Sequence, residues 1–255
     1  MAEYSSAGLA ALLVPQANTT VEAEMAVLLP PGCGSMTARL TSGATDSQER
    51  LLGYFERVDA TLDTLGGAKP GVALFACTGS TYLVGRDAER ERFEIVGRQR
   101  GYPLVSAAEA IEAALKELGA ERIALVSPYP DWLTAACAGF WRGRGREVVS
   151  VTTVGTPGAD TRAIYSLGTA AALAALQGAD LAHAQAVVLT GTGMPTLGTI
   201  ASAPSSVPVL SSNLCLAWKA AQVLGHPLSS LVRWLGPGAW WHDTLATRFP
   251  DTIAK

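Results

Sequence analysis

The chain reads as an α/β protein: two pseudosymmetric, doubly wound parallel-sheet (Rossmann-like) domains with the active site between them. Three observations predict this. Apolar runs of strand length alternate along the 255 residues with longer stretches of helical period. Those runs are continuous rather than alternating, as expected of parallel strands covered by helices on both faces. One unit also occurs twice. Residues 71–80 (GVALFACTGS) and 185–194 (QAVVLTGTGM) are both strand-type runs that end in a small residue, Thr and Gly. Upstream of each copy an earlier apolar run stops at a Pro-containing turn, Val14-Pro15-Gln16-Ala17-Asn18 and Val126-Ser127-Pro128-Tyr129. Downstream, Pro103-Leu104-Val105-Ser106 and Pro208-Val209-Leu210-Ser211 each lead into an Ala- and Leu-rich helical stretch.

In chain order, a strand at 8–14 ends at Pro15 and is followed by a helix at 20–28, then a strand at 35–40. A helix at 47–65 starts at Ser47, whose side-chain oxygen suits a cap, and closes at Gly66. The first repeat copy supplies a strand at 72–76. A charged helix at 86–99, a short strand at 104–105 and a helix at 107–118, capped by Ser106 and closed by Gly119, complete the first half. The second half repeats the plan: strands at 123–126, 148–152, 186–190 and 209–210, with helices at 131–142, 161–176 and 212–224, the last closed by Gly225. The expected division is 8–119, 120–225 and a tail at 226–255, with helices free to swap between halves.

Composition narrows the function. A hydrophobic fraction of 49% with 16% charge fits a large core and a subunit interface, and so points to a homodimer. The net charge is −3, and no basic patch interleaved with aromatics occurs, which argues against nucleic acid as partner. The apolar run at 8–14 is too short to span a membrane and has no basic residue before it, so neither a membrane anchor nor a signal peptide is expected. Cys33, Cys77, Cys137 and Cys215 lack metal-ligand spacing, which predicts no zinc site, no disulfide framework and a cytoplasmic location. No dinucleotide or phosphate-loop motif is present.

In open parallel sheets, ligands bind beyond the carboxyl ends of the strands. Four polar turns fall there: 15–20, 77–80, 127–129 and 191–194. Together they supply one thiol, several hydroxyls, one carboxamide and Gly-lined backbone N–H groups, with no Lys, Arg or His. Such a set suits a carboxylate, or an enediolate forming from one, held by neutral hydrogen bonds. Cys77, at the end of the first copy, is the candidate catalytic residue. A thiol at a helix N-terminus has its pKa lowered and can serve as nucleophile or proton carrier; otherwise it is a buried small hydrophobe. Tyr129 either donates to a carboxylate or packs at its turn. Asn18 either caps the following helix or, if Thr19 or Thr20 does so, offers its carboxamide to a ligand. Asp160 reads as a helix cap. The three histidines, at 183, 226 and 242, fall in a loop, at a helix end and in the tail, and none is assigned as a base.

These residues resemble the aspartate/glutamate racemase superfamily, most closely its maleate isomerase and arylmalonate decarboxylase branch, over roughly residues 8–225. Val14-Pro15-Gln16-Ala17-Asn18-Thr19-Thr20-Val21-Glu22 is similar to the N-terminal maleate isomerase motif, Cys77-Thr78 to the first-half cysteine turn, Ser127-Pro128-Tyr129 to the tyrosine turn and 208–213 to the last strand–helix turn. The resemblance implies a cofactor-free enzyme acting on carbon acids between two pseudosymmetric domains. Its racemases and isomerases carry a cysteine in each half, and its arylmalonate decarboxylases only in the second. This chain has Gly191 at the second position, and Asp160 stands near the place of a second Asn. It implies as site residues Cys77 and Tyr129, with Pro15, Asn18, Thr78, Gly79, Gly191, Thr192, Gly193 and Asn213 around a small carboxylate substrate.

A two-base racemisation needs a proton carrier on each face of the substrate carbon, which a single thiol does not provide. The expected activity is therefore decarboxylation of a small malonate-like dicarboxylate, through an enediolate protonated by Cys77. The alternatives are a maleate-type cis–trans isomerase with Cys77 as covalent nucleophile and a solute-binding module using the same cleft.

Overall fold

The computed structural model describes residues 3–156, 158–203 and 205–252. Each predicted strand is present. The first half runs β1 (Gly8–Pro15), α1 (Thr20–Leu28), β2 (Cys33–Leu40), α2 (Ser47–Glu56), α3 (Val58–Asp63), β3 (Val72–Phe75), α4 (Thr78–Val84), α5 (Arg86–Arg100), β4 (Leu104–Ser106) and α6 (Ala107–Glu117). The second runs β5 (Arg122–Ser127), α7 (Asp131–Gly143), β6 (Glu147–Thr153), α8 (Thr169–Gln177), β7 (Ala186–Leu189), α9 (Leu197–Ser202), β8 (Val209–Ser211) and α10 (Ser212–Val223). Helix α11 (His242–Arg248) lies in the tail, whose residues 253–255 fall outside the described residues.

The two sheets have the same strand order, β2-β1-β3-β4 and β6-β5-β7-β8, and every pair is parallel. The central strands β1, β3, β5 and β7 consist mostly of fully buried Ala, Val, Leu, Ile and Phe, which is why they read as continuous apolar runs. In each sheet the chain winds outward in one direction from the first strand and then crosses back to its other side. That reversal opens a crevice at the carboxyl ends of β1 and β3, and of β5 and β7. Pro15, Cys77, Tyr129 and Gly191 follow those four ends.

Helices α6 and α10, which occupy equivalent places after β4 and β8, pack on each other, and α10 also reaches β3, β4 and α1. Both are rich in fully buried Ala, which lets their backbones approach closely. The tail folds back onto the chain: α11 packs on α1 and α9, and the indoles of Trp218, Trp234 and Trp241 each donate to a backbone carbonyl. Among the described residues no helix is long and apolar enough to cross a membrane.

Several helices differ from expectation. The stretch 47–65 is two helices, because Arg57 leaves helical geometry (φ −92°, ψ 13°) and turns the buried Val58 and Leu62 toward the core. Its cap is Asp46, whose carboxylate accepts from Glu49 N at 2.9 Å, not Ser47. The stretch 161–176 begins as a 3-10 turn over Thr161–Ser166, extends at Leu167 and restarts as α8. Asp160 does cap that turn, accepting from Arg162 N at 2.9 Å. Helices α4, α9 and α11 have no predicted counterpart; α4 (TGSTYLV) is made of weak helix formers and is held by burial on its neighbours.

Glu89 of α5 is buried beneath the first sheet. It accepts hydrogen bonds from the Thr81 hydroxyl of α4 and, at 2.8 Å, from the hydroxyl of Ser106, the cap of α6. Desolvation outweighs these bonds and pushes its carboxyl up to about 7 from 4.5. The folded chain thus keeps this proton to higher pH than the unfolded chain does. The stabilisation is full below pH 4.5 and is lost as pH rises through 7. Glu89→Gln should abolish that loss: relative to wild type its unfolding free energy gains about 3 kcal/mol between pH 4.5 and 8. Denaturant titrations at both pH values check this, and parallel pH profiles in the two proteins refute it.

Candidate active site

The two crevices face each other across one small, half-open chamber of about 30 Å³. Pro15, Cys77, Thr78, Gly79, Tyr129, Gly191, Thr192 and Gly193 all line it, joined by Leu51, Leu133, Thr161, Ile164 and Tyr165. Eight of the ten residues singled out from sequence therefore meet in space, contributed by the ends of β1, β3, β5 and β7.

Cys77 precedes α4 and is 4% exposed. Its sulfur lies 3.1 Å from Ser80 Oγ, and Ser80 Oγ donates its own hydrogen to the Leu51 carbonyl at 2.6 Å. With that hydrogen committed, the sulfur must be the donor in the S···O contact, so the thiol is protonated. The electrostatics agree. Burial pushes the thiol's pKa up; the Ser80 hydroxyl, were its hydrogen turned from Leu51 to the sulfur, and the backbone N–H groups of Ser80 and Gly79 act the other way but are outweighed. The expected lowering at a helix N-terminus is thus overturned, because desolvation of a wholly enclosed sulfur is the larger effect. Cys137 and Cys215 are buried with Cys137 pushed up to about 12, and all four cysteines are free thiols.

Opposite the thiol turn, Tyr129 OH and Thr78 Oγ1 are 2.6 Å apart. Burial raises the phenol well above its usual range, which keeps it a neutral donor. The ring packs edge-on against Tyr82 at 6.1 Å, so Tyr129 both packs and presents its hydroxyl. A pair of bonded hydroxyls shares one hydrogen, and the other can turn toward a ligand in the chamber.

Gly191 has φ +85°, the left-handed region that favours glycine, and a Cβ there would come 3.0 Å from Pro128 Cγ and 3.4 Å from Tyr129 OH. A side chain at the second cysteine position would meet both backbone strain and the phenol. Gly79 is fitted between Leu51 and Leu133, whose methyls lie 3.2 Å and 3.4 Å from where its Cβ would be.

Asn18 and Asn213 do not line the chamber. The Asn18 carboxamide accepts from Thr20 N (2.9 Å) and Val21 N (3.3 Å), so it caps α1 itself, and it donates to Thr192 Oγ1 at 3.2 Å. Asn213 donates to the Thr192 carbonyl at 3.0 Å and to Glu24 Oε2 at 2.8 Å. Both hold the Thr192 turn from behind. The Thr192 hydroxyl is likewise committed, donating to the Ala76 carbonyl at 2.8 Å across the two halves. Glu24 of α1 accepts from Thr196 N (2.5 Å) and Leu197 N (3.1 Å) and so caps α9 in the other half.

Sequence reasoning also missed a cation. Arg50, 2% exposed at its side chain, donates to Asp160 Oδ1 at 2.6 Å and to the chamber-lining Thr161 hydroxyl at 3.2 Å. Bonds from Arg162, then Arg50, hold the Asp160 carboxyl well below the usual range. Arg50 lies within a predicted helix, and no local signal marks it. Among the described residues no group of three or more His, Cys, Asp or Glu side chains gathers where it could hold a metal ion.

The sequence profile of the arylmalonate decarboxylase family matches residues 10–232. The chain belongs to the arylmalonate decarboxylase family. It is 28% identical to the maleate isomerase of Nocardia farcinica over 230 residues, which are 86% of this chain and 90% of that one. Among solved structures it resembles that organism's maleate cis-trans isomerase with a covalently bound succinylcysteine intermediate, at 25% identity and TM-score 0.76, covering 86% of this chain and 94% of the other. It also shares the fold of arylmalonate decarboxylase, at 20% identity and TM-score 0.66, covering 86% and 93%. Maleate isomerases and arylmalonate decarboxylases are thus both kin of this family member, and its two parallel four-stranded sheets with flanking helices are theirs.

Proposed function

We propose that this family member is a decarboxylase of a small malonate-like dicarboxylate, with Cys77 as the sole proton donor. The observation that carries this reading is the protonated, buried thiol, which faces left-handed Gly191 instead of a second thiol. A neutral thiol is a proton donor in waiting and a poor resting nucleophile.

One substrate carboxylate binds to the Thr78 and Tyr129 hydroxyls and the Gly79 turn. The other is pressed against Leu51, Leu133 and Ile164, where it cannot be hydrated. The bond from the α-carbon to that carboxylate breaks and CO2 leaves. The electron pair enters the remaining carboxylate as an enediolate, stabilised by the same hydroxyls. The Cys77 S–H protonates the α-carbon, and the thiolate recovers its proton from water. No step calls on a cofactor.

The thiol stands in the first half, where the resemblance gives arylmalonate decarboxylases a glycine. A prochiral disubstituted malonate should therefore give product of the opposite hand to theirs; product of the same hand refutes donation by Cys77.

A second reading, cis–trans isomerisation of a maleate, is favoured by the maleate isomerases of similar sequence and by the N–H groups of Gly79 and Ser80, which would steady a thiolate. One experiment separates the two. The protein is incubated with malonates and with maleate in deuterated water, followed by NMR and by mass spectrometry of the Cys77 peptide. Loss of CO2 with one deuterium at the α-carbon is expected. Fumarate from maleate with a succinyl adduct on Cys77 overturns the decarboxylase.

A further inference from the structure

The chamber is tight, about 30 Å³ against about 270 Å³ for a neighbouring cavity, so a bulky substituent on a diacid bound there requires a wall to move. That second cavity lies directly behind one wall, between α1, α9 and the C-terminal segment. Among the described residues, Tyr165 alone lines both. Its ring packs directly against Gly193, where a Cβ would come 2.6 Å from Cε1, and it is carried by the short 3-10 turn Thr161–Ser166, an element with few backbone bonds.

The second cavity has an apolar character toward a ligand. Ala23, Val27, Leu197, Leu245 and Phe249 contribute its walls. Its one carboxylate, Glu24, is turned to donors of the protein, from Thr196, Leu197 and Asn213. A second substrate carboxylate placed there would lie against Glu24 with no cation among the lining residues to hold it. The roof is the C-terminal segment itself: Thr252 O sits where a Cβ on Gly198 would be only 2.2 Å away.

We propose that Tyr165 is the specificity-determining residue of this site, its ring dividing the thiol chamber from an apolar cavity that receives the uncharged α-substituent of a substituted diacid. This rests on the reading of the chamber as a diacid site. With the ring in place, substrates with hydrogen or methyl at the α-carbon are selected. With it swung aside or removed, the two cavities join and an aryl group fits.

The test measures alkylation of Cys77 by iodoacetamide and by N-phenyl iodoacetamide in wild type, Tyr165→Ala, Tyr165→Leu and Tyr165→Phe, resolved by peptide mass spectrometry. Turnover of methylmalonate and phenylmalonate is measured alongside. Tyr165→Ala, and Tyr165→Leu should the alanine variant fold poorly, should raise the ratio of aryl to small-reagent alkylation by about tenfold or more. Tyr165→Phe keeps the wild-type ratio, since the ring and not the hydroxyl divides the cavities. An unchanged ratio in the alanine and leucine variants, or no alkylation of Cys77 in any protein, overturns the proposal. A shifted ratio with no malonate turned over by any protein leaves the division by Tyr165 standing and sinks the decarboxylase reading instead.

Discussion

Cys77→Ala is expected to lower malonate decarboxylation by about a thousandfold, the scale of losing a general acid from a site that keeps its other groups. Exchanging one buried sulfur for hydrogen in a residue already fitted to its chamber costs about 1 kcal/mol of stability, so the loss is chemical and not structural. Ser80 Oγ loses a donor in this variant but keeps its bond to the Leu51 carbonyl, which limits the disturbance. Cys77→Ser should not rescue, because an alcohol in the same enclosed place is a far weaker acid. The wild-type pH profile follows from the raised thiol pKa. The active form is the protonated one, so kcat/KM stays level through neutral pH and falls only above the ordinary thiol range. A limb that rises with an apparent pKa below that range would mean that the thiolate is the working form, and with it the isomerase.

The second large effect concerns the hydroxyl pair. Tyr129→Phe and Thr78→Val should each reduce kcat by about a hundredfold or more, as when a single oxyanion donor is removed. Tyr129 OH and Thr78 Oγ1 lie 2.6 Å apart, so each orients the other's hydrogen. Their losses should therefore not add, and the double variant should be little worse than the poorer single one. The measurement is kcat for the three proteins with melting temperatures as a control. Full additivity would show that the hydroxyls act separately.

Much of this arrangement was legible in the sequence. The strands were readable because a parallel sheet covered on both faces needs unbroken apolar runs, and Leu12, Phe75, Val126 and Val188 belong to such runs. The repeat located the turns, since each copy ends at the carboxyl end of a central strand. Other features had no local signature. Helix α4 is written in Thr, Gly and Ser, whose intrinsic preference is against a helix, and burial between α2 and α7 overrides it. Asn18 was ambiguous because any of three adjacent polar residues suits a cap, and only the fold decides which one turns its oxygen to Thr20 N and Val21 N. Arg50 and Tyr165 are far in sequence from the turns they serve.

By itself the sequence determined the two-halved parallel architecture, the four strand-end turns and the presence of one thiol where kin have another arrangement, because periodicity, turn chemistry and repetition are properties of the chain order. The tertiary structure alone decided the protonation of that thiol, the pairing of Thr78 with Tyr129 across the halves and the division of the interior by Tyr165. The reason is physical: desolvation, hydrogen-bond commitment and steric closure depend on which distant residues arrive around a group, and no stretch of sequence carries that information.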